Sequence, residues 1–476
     1  MELRDLAEPV LFATTLDDKL QSPAVLVFNP FAEGYIAHGK SFTPVKHQTM
    51  LARDLANLPQ FLGRSDDIVL VAKRPSVEFL SALKDAGFPL PEFVELREGR
   101  IDPTSRLCRR KLGSLRPWAW RADSVELFEP LFAQVTGEAR PASQRFNDGI
   151  ARLYSKAWSA AFLRTVLTRS RQVDGMSPKP PELWLCTEHE VGVAVDTVEG
   201  ALEAIAAIRR SGHHRVVAKE ALGSAGHNAI RLWEPEVLAA QQRWLAHALQ
   251  DGRQVVIEPW LERQLDFSVQ LEMGPRSLKL CGYTGLINDP KGQFQANWAA
   301  ADYDCRIPAN VTALFRELPD IAGRLQRLYG DILSLLEAKL QRAGFVGPVS
   351  IDAFVYRTPQ GGCRLKPVVE INPRYTMGRL TLELMKQTCP GSCGLFRLIS
   401  RAQASAEGAA DFAGYARSLR ERFPLHLDGE PMPRIREGAL CLNDPAQAQV
   451  CLATFQVSRT LDPLFSTVVR GDLSPA

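Results

Sequence analysis

The run Val368-Val369-Glu370-Ile371-Asn372-Pro373-Arg374 constrains this chain more than any other stretch. Its apolar residues read as the end of a buried strand, and residues i and i+2 of a strand project from one face. Glu370 and Asn372 therefore present oxygens on the same side, with Arg374 continuing along it toward an anion. Oxygen ligands beside a fixed positive charge suit Mg²⁺ holding a polyphosphate. Upstream, Pro348 to Tyr356 carries Ile351, Ala353 and Val355 on one face and Ser350, Asp352 and Phe354 on the other. A carboxylate inside so apolar a strand is costly unless it is paired or binds metal. Arg357-Thr358-Pro359-Gln360-Gly361-Gly362 between the two reads as a hairpin turn, and pairing brings Asp352 beside Glu370 and Asn372. A surface hairpin with scattered polar residues is the plainer alternative. Three ligand-type residues at facing positions weigh against it.

With 476 residues, 45% hydrophobic and 23% charged, the chain has material for two or three domains. A net charge of +3 gives no basis for a nucleic-acid or membrane-surface partner. Met1-Glu2-Leu3-Arg4-Asp5 opens no apolar segment of the secretory kind, and no apolar run reaches the roughly 18–20 residues that span a bilayer. Nine scattered cysteines, with only Cys389 and Cys393 close together, suit free thiols and a cytoplasmic setting.

The first hundred residues alternate strand and helix. Ala24–Phe28, Asp67–Ala72 and Glu92–Leu96 read as strands, and Ser76 caps a helix with Val77, Leu80 and Leu83 on one face. This predicts a parallel, doubly wound α/β unit over 1–140. A helical connector follows over 141–182, with Ala151, Tyr154, Trp158, Ala161, Phe162 and Leu163 on its apolar face and a Pro- and Lys-rich linker at 175–181. Next comes an α+β subdomain over 183–271, with a helix from Val198 to Arg210 (Ala201, Ile205 and Ile208 inward) and strands at Val216–Lys219 and Val255–Glu258. A metal-binding subdomain over 272–400 includes a long helix from Ile321 to Ala343. The extension 401–476 packs on the core, with helices expected near 394–421 and short strands near 438–458.

Lys219 to Asn228 follows directly on a strand. Gly223, Ser224 and Gly226 let backbone N–H groups converge on an anion, with Lys219 supplying charge. The lysine precedes the glycines and a strand follows them, so neither the Walker pattern nor the dinucleotide fingerprint applies. Glu258 ends another strand, where the backbone around Glu258, Trp260 and Leu261 can meet an adenine edge; Asp266 can accept ribose hydroxyls.

Taken in order, these stretches resemble the ATP-grasp superfamily of carboxylate–amine ligases, from about Arg152 to Arg379. The resemblance implies a nucleotide between two α+β subdomains, a glycine loop closing over the phosphates, and a preceding strand–helix domain. It implies ATP and Mg²⁺ (or Mn²⁺) as cofactors, with two ions held by Asp352, Glu370 and Asn372. Lys156 matches the family's second phosphate lysine, on the other lobe. Ser350 departs from the pattern, because some members carry an arginine two residues before the first metal acid.

The implied chemistry is amide formation through an acyl phosphate, with Lys156, Lys219 and Arg374 balancing phosphate charge and Lys219 and Arg374 serving the transfer itself. Small carboxylates and amines, among them amino acids or a short peptide, are the implied substrates, and an oligomer is compatible with this. Substrate candidates are Asn29 to Tyr35, Gly282 to Trp298 (Tyr283 and Trp298 included), and Tyr375 to Arg379. His227 reads as a surface loop residue. A non-catalytic nucleotide module, and an ATP-dependent carboxylase or phosphate-transferring enzyme, are the alternative classes.

Overall fold

Four short runs build the first sheet: β1 (Ala24–Val27), β2 (Ile68–Val71), β3 (Glu92–Glu95) and β4 (Ser114–Pro117). In a computed structural model, which describes residues 22–136, 141–171, 183–223, 228–289, 292–429 and 431–469, they pair in parallel in the order β3-β2-β1-β4. Every residue of β1 and β2 is buried, as suits a parallel sheet covered on both faces. The helix Val77–Asp85 starts at Ser76, whose Oγ accepts the Phe79 N–H. Its inward face is Phe79 and Leu83, one i,i+4 pair. Val77, expected on the inward face, points outward at 78% exposure.

The connector is three helices, Ala142–Arg145, Asp148–Leu153 and Lys156–Arg171. Tyr154 falls between two of them, and Ala161, expected on the apolar face, is exposed. The expected linker at 175–181 lies outside the described residues.

A second sheet takes β5 (Val193–Val195), β6 (Val216–Glu220), β7 (Ala229–Leu232) and β8 (Val255–Pro259) in the antiparallel order β5-β8-β6-β7. The helix Val198–Arg210 closes one face with Ala201, Ile205 and Ile208 buried, as its spacing predicts. This sheet ends at Pro259. The next strand, β9 (Glu262–Met273), pairs elsewhere, so the seam falls near residue 260 and not at 271.

The third sheet has nine strands. It adds β10 (Leu278–Asn288), β11 (Phe294–Ala299), β12 (Gly347–Arg357), β13 (Cys363–Asn372), β14 (Cys393–Ser400), β15 (His426–Asp428), β16 (Arg434–Cys441) and β17 (Cys451–Ser458), in the order β13-β12-β9-β10-β11-β14-β17-β16-β15. Residues 394–400, expected as helix, are strand β14, because Leu395, Phe396 and Ile399 are fully buried between β11 and β17. The extension thus continues the nine-stranded sheet. The helix Ile321–Ala343 buries Leu325, Ile332, Leu336 and Leu340 in the largest core, together with β9 and β12. No described helix is long and apolar enough to cross a membrane, and all nine cysteines are unpaired.

Candidate active site

The hairpin forms as its sequence predicts. β12 and β13 pair antiparallel, with Asp352 directly opposite Glu370 and Ser350 opposite Asn372. Thr358 closes the turn by donating its N–H to the Gly362 carbonyl at 2.8 Å, and Gly361 takes the positive φ of 88° that favours glycine. Directly opposed side chains in a sheet lie about 5 Å apart at Cβ. Two carboxylates are therefore neighbours, and the Asn372 amide donates to Asp352 Oδ2 at 3.1 Å.

This pair is short of positive charge. Burial first, then the Glu370 carboxylate, pushes the Asp352 carboxyl up to about 6, against weaker opposing pulls from Ser268, Arg374 and Asn372. All three side chains are oxygen donors, the set a hard divalent cation prefers. The residues thus fit Mg²⁺. Among the described residues no group of three His, Cys, Asp or Glu side chains is placed to hold a metal ion, and the third candidate here is an amide.

Two lysines face this triad across the cleft. Lys156 opens its helix, donating Nζ to Glu370 Oε1 at 2.9 Å and to the Gly223 carbonyl at 2.6 Å. That second bond joins the connector helix to the start of the glycine loop; Ser224, Gly226 and His227 lie outside the described residues. Lys219, on β6, pairs with Glu258 Oε1 on the neighbouring β8. Lys366 reaches the other oxygen, Glu258 Oε2, at 3.0 Å. Burial would raise the Glu258 carboxyl, but the two ammonium groups outweigh it and hold it far below the usual carboxylate range. Burial likewise keeps Lys219 below an ordinary lysine, against the pull of Glu258.

Lys366 was missed in the sequence. Its signal was a lysine in an apolar strand, four residues before Glu370 and so on the same face.

The base contacts are narrower than expected. The Trp260 N–H is taken by the Arg215 carbonyl at 2.8 Å, and its ring sits beside Trp233 under Arg231. A base cannot use that donor. Leu261 is buried at 7% exposure and its N–H has no partner among the described residues, which leaves it as the free backbone donor at the seam. Asp266 accepts from Arg263 at 2.9 Å, and Arg263 lies over the Phe354 ring beside Lys366.

Arg374 lies where the triad meets the N-terminal unit. It donates Nη2 to Asn372 Oδ1 at 3.0 Å and Nε to Glu33 Oε1 at 2.8 Å. Burial opposes the Glu33 charge, yet Arg374 holds its carboxyl below the ordinary value. The Tyr154 hydroxyl donates to the Pro373 carbonyl at 2.9 Å, tying the connector to the same corner. Glu33 falls within an expected substrate loop, but it serves Arg374. Asn29 is committed as well, clamping Ala119 with both amide atoms. Among the other substrate candidates, Trp298 is core, packed so closely that a Cβ on Gly285 would lie 1.9 Å from its ring. Arg379 is held by Glu272 and Glu383 at 2.8 and 2.9 Å. Tyr375 alone borders open space, beside Arg116.

A parallel α/β unit, a four-stranded antiparallel lid sheet and a large sheet bearing the carboxylate–amide triad follow in the order the resemblance implies. This is the architecture that the resemblance to the ATP-grasp superfamily leads one to expect. In sequence, no protein-family model and no curated protein matches the chain. Among solved structures it is similar to the ADP complex of N5-carboxyaminoimidazole synthetase from Staphylococcus aureus, at 10% identity over 95% of this chain and 98% of that one, with a TM-score of 0.46. An ADP complex of N5-carboxyaminoimidazole ribonucleotide synthetase scores 0.48 at 11% identity, over 95% and 97% of the two chains. The biotin carboxylase–β,γ-ATP complex from Campylobacter jejuni scores 0.46 at 11% identity, over 92% and 88%.

Proposed function

We propose that this chain is an ATP- and Mg²⁺-dependent ligase that joins a carboxylate to an amine through an acyl phosphate. The observation that carries the reading is the Asp352–Glu370 cross-strand pair with Asn372 beside it, Glu370 lining a cleft that Lys156 and Lys219 also line. Mg²⁺ held by that triad, as one ion or two, would screen phosphate charge and polarise the transferring phosphorus.

The protein's own groups do the positioning. Lys156 exchanges Glu370 and the Gly223 carbonyl for phosphate oxygens, which frees Glu370 to serve as a ligand. Lys219 turns from Glu258 toward the same phosphates. Arg374, kept charged and oriented by Glu33, meets the carboxylate and the phosphoryl group in transfer. The bond from the γ-phosphorus to its bridging oxygen breaks, ADP leaves, and a carboxylate oxygen bonds to that phosphorus. The amine nitrogen then adds to the acyl carbon, phosphate departs with the C–O electron pair, and the amine proton passes to phosphate or solvent.

Supplying pools of amino acids and small acids with Mg-ATP, and following ADP together with product mass, tests this. Amide products appearing in step with ADP support it. ADP formed with no amide, under any pool, sinks the ligase assignment.

A further inference from the structure

We propose that the cavity between the N-terminal unit and the metal-bearing sheet binds the carboxylate substrate, and that this acid carries an aromatic or similarly bulky apolar body. Its role as a substrate rests on the ligase reading above; its binding does not. The cavity is bounded by residues of both units and opens at its mouth to solvent. One wall is the end of β4 and the turn after it, with Arg116 and Trp120; the facing wall is Phe345, Arg374 and Tyr375.

Arg116 is the reason to assign an anion. Its guanidinium is partly buried, and its hydrogen-bond partner is the neutral Tyr375 hydroxyl, at 3.0 Å from Nε. No carboxylate among the described residues lies within ion-pair distance of it. The acid nearest in influence, Glu272, is already engaged by Arg379 at 2.8 Å. A partly buried guanidinium answered only by a phenol leaves a place for an anionic partner. Arg145 packs at the same wall, its guanidinium 5.3 Å from the Trp120 ring centre and 5.1 Å from that of Phe132.

The apolar body follows from the rest of the lining. Trp118, Trp120, Phe345 and Pro348 offer ring and aliphatic surface to a ligand anchored at Arg116. Arg374 connects this space to the chemistry, because it borders the cavity and also bonds the metal-ligand candidate Asn372. An amine substrate finds no acid in the cavity beyond the committed Glu272.

Calorimetric titration of the full chain with 3-phenylpropionate, adipate and phenethylamine, with and without Mg-adenylyl imidodiphosphate, tests the proposal. The aromatic acid should bind more tightly than adipate, and phenethylamine should not bind. Arg116→Gln should weaken the aromatic acid by about tenfold or more, the loss expected for a charged hydrogen bond. Val346→Trp, which fills the cavity from the opposite wall without touching a charge, should do the same if Arg116→Gln fails to fold. Both variants should hold Mg-nucleotide within about twofold of the parent. No binding of 3-phenylpropionate, adipate binding as tightly, preference for the amine, or full affinity in the variants overturns the proposal. Nucleotide binding is read separately. Its failure, with Arg116-dependent acid binding intact, defeats the ligase reading and leaves the cavity assignment standing.

Discussion

Two acids of the site keep opposite company: Glu258, from the four-stranded sheet, lines the cleft, and Asp352 lies in the large sheet opposite Glu370, which lines it too. Glu258 has an ammonium on each oxygen, and its charge is fixed well below the ordinary titration range. Asp352 looks across the ladder at another carboxylate, and its carboxyl is pushed up to about 6. The lid side is thus electrostatically complete without a ligand. The triad is not, and its completion is conditional on a cation. Stability should depend on the first acid and turnover on the second.

The largest effect should come from Glu258→Ala. It leaves Lys219 and Lys366 as like charges in a buried space, and breaking a buried pair costs about 3–5 kcal/mol. Chemical unfolding at neutral pH measures it. Because the folded carboxyl is depressed, its stabilisation is complete above the unfolded value near 4.5 and is lost only as pH falls through the lower folded value. The deficit of the variant should therefore be flat from pH 6 to 8. A deficit below 1 kcal/mol would mean that the two lysines do not depend on Glu258.

Next in size is Glu370→Gln. An amide is a poor Mg²⁺ ligand, and a metal contribution of several kcal/mol translates into about a hundred- to a thousandfold in turnover. The fold should survive, since the change also relieves the repulsion with Asp352. Wild-type turnover at limiting Mg²⁺ would remove Glu370 from the ligand set.

Asp352 gives a smaller, pH-dependent effect. Its folded pKa of about 6 lies above the ordinary 3.8, so between those values the folded chain holds a proton that the unfolded chain has lost. In the metal-free protein, stability from this group is full below the unfolded value and falls as pH rises through the folded one. Asp352→Asn should abolish that decline and leave the metal-free protein more stable above pH 6. In the parent, Mg²⁺ affinity should weaken by up to about tenfold per pH unit below 6, because the cation must displace the proton. Magnesium titrations at pH 5, 6 and 7 decide it, and an unchanged affinity would place the ion elsewhere.

The contrast also explains what the sequence could disclose. Asp352, Glu370 and Asn372 were legible because a five-residue turn keeps their hairpin local, although the register itself was not, since a shift between Asp352 and Phe354 brings Asp352 opposite Glu370. Helix Val198–Arg210 was legible for the same reason, its period and cap lying within one segment. Partners distant in sequence were not. Glu33 meets Arg374 across 341 positions, and Lys366 meets Glu258 across 108. The nine-stranded sheet was equally hidden, since β9 chooses β12 from beyond a long helix. The Val77 face and the 394–400 strand failed differently: short apolar runs satisfy more than one period, and burial made the choice.

The smallest expected effect tests the seam between the two sides, where the lid sheet hands over to β9. Leu261 leaves one buried backbone N–H without a partner among the described residues, while the Trp260 N–H is already spent on Arg215. Adenine offers a ring acceptor, N1, to such a donor. Guanine carries a hydrogen at that position, so two donors would meet and one buried polar group would stay unpaired. That mismatch should favour ATP over GTP by at least about tenfold, or roughly 1.4 kcal/mol, in competition binding. The preference should persist in Glu370→Gln, because the base contact lies on the lid side and owes nothing to the metal. Equal affinity for the two nucleotides would show that the Leu261 donor does not read the base. A preference that vanishes with Glu370 would show that the two sides of the cleft are not independent, and would overturn the comparison between Glu258 and Asp352.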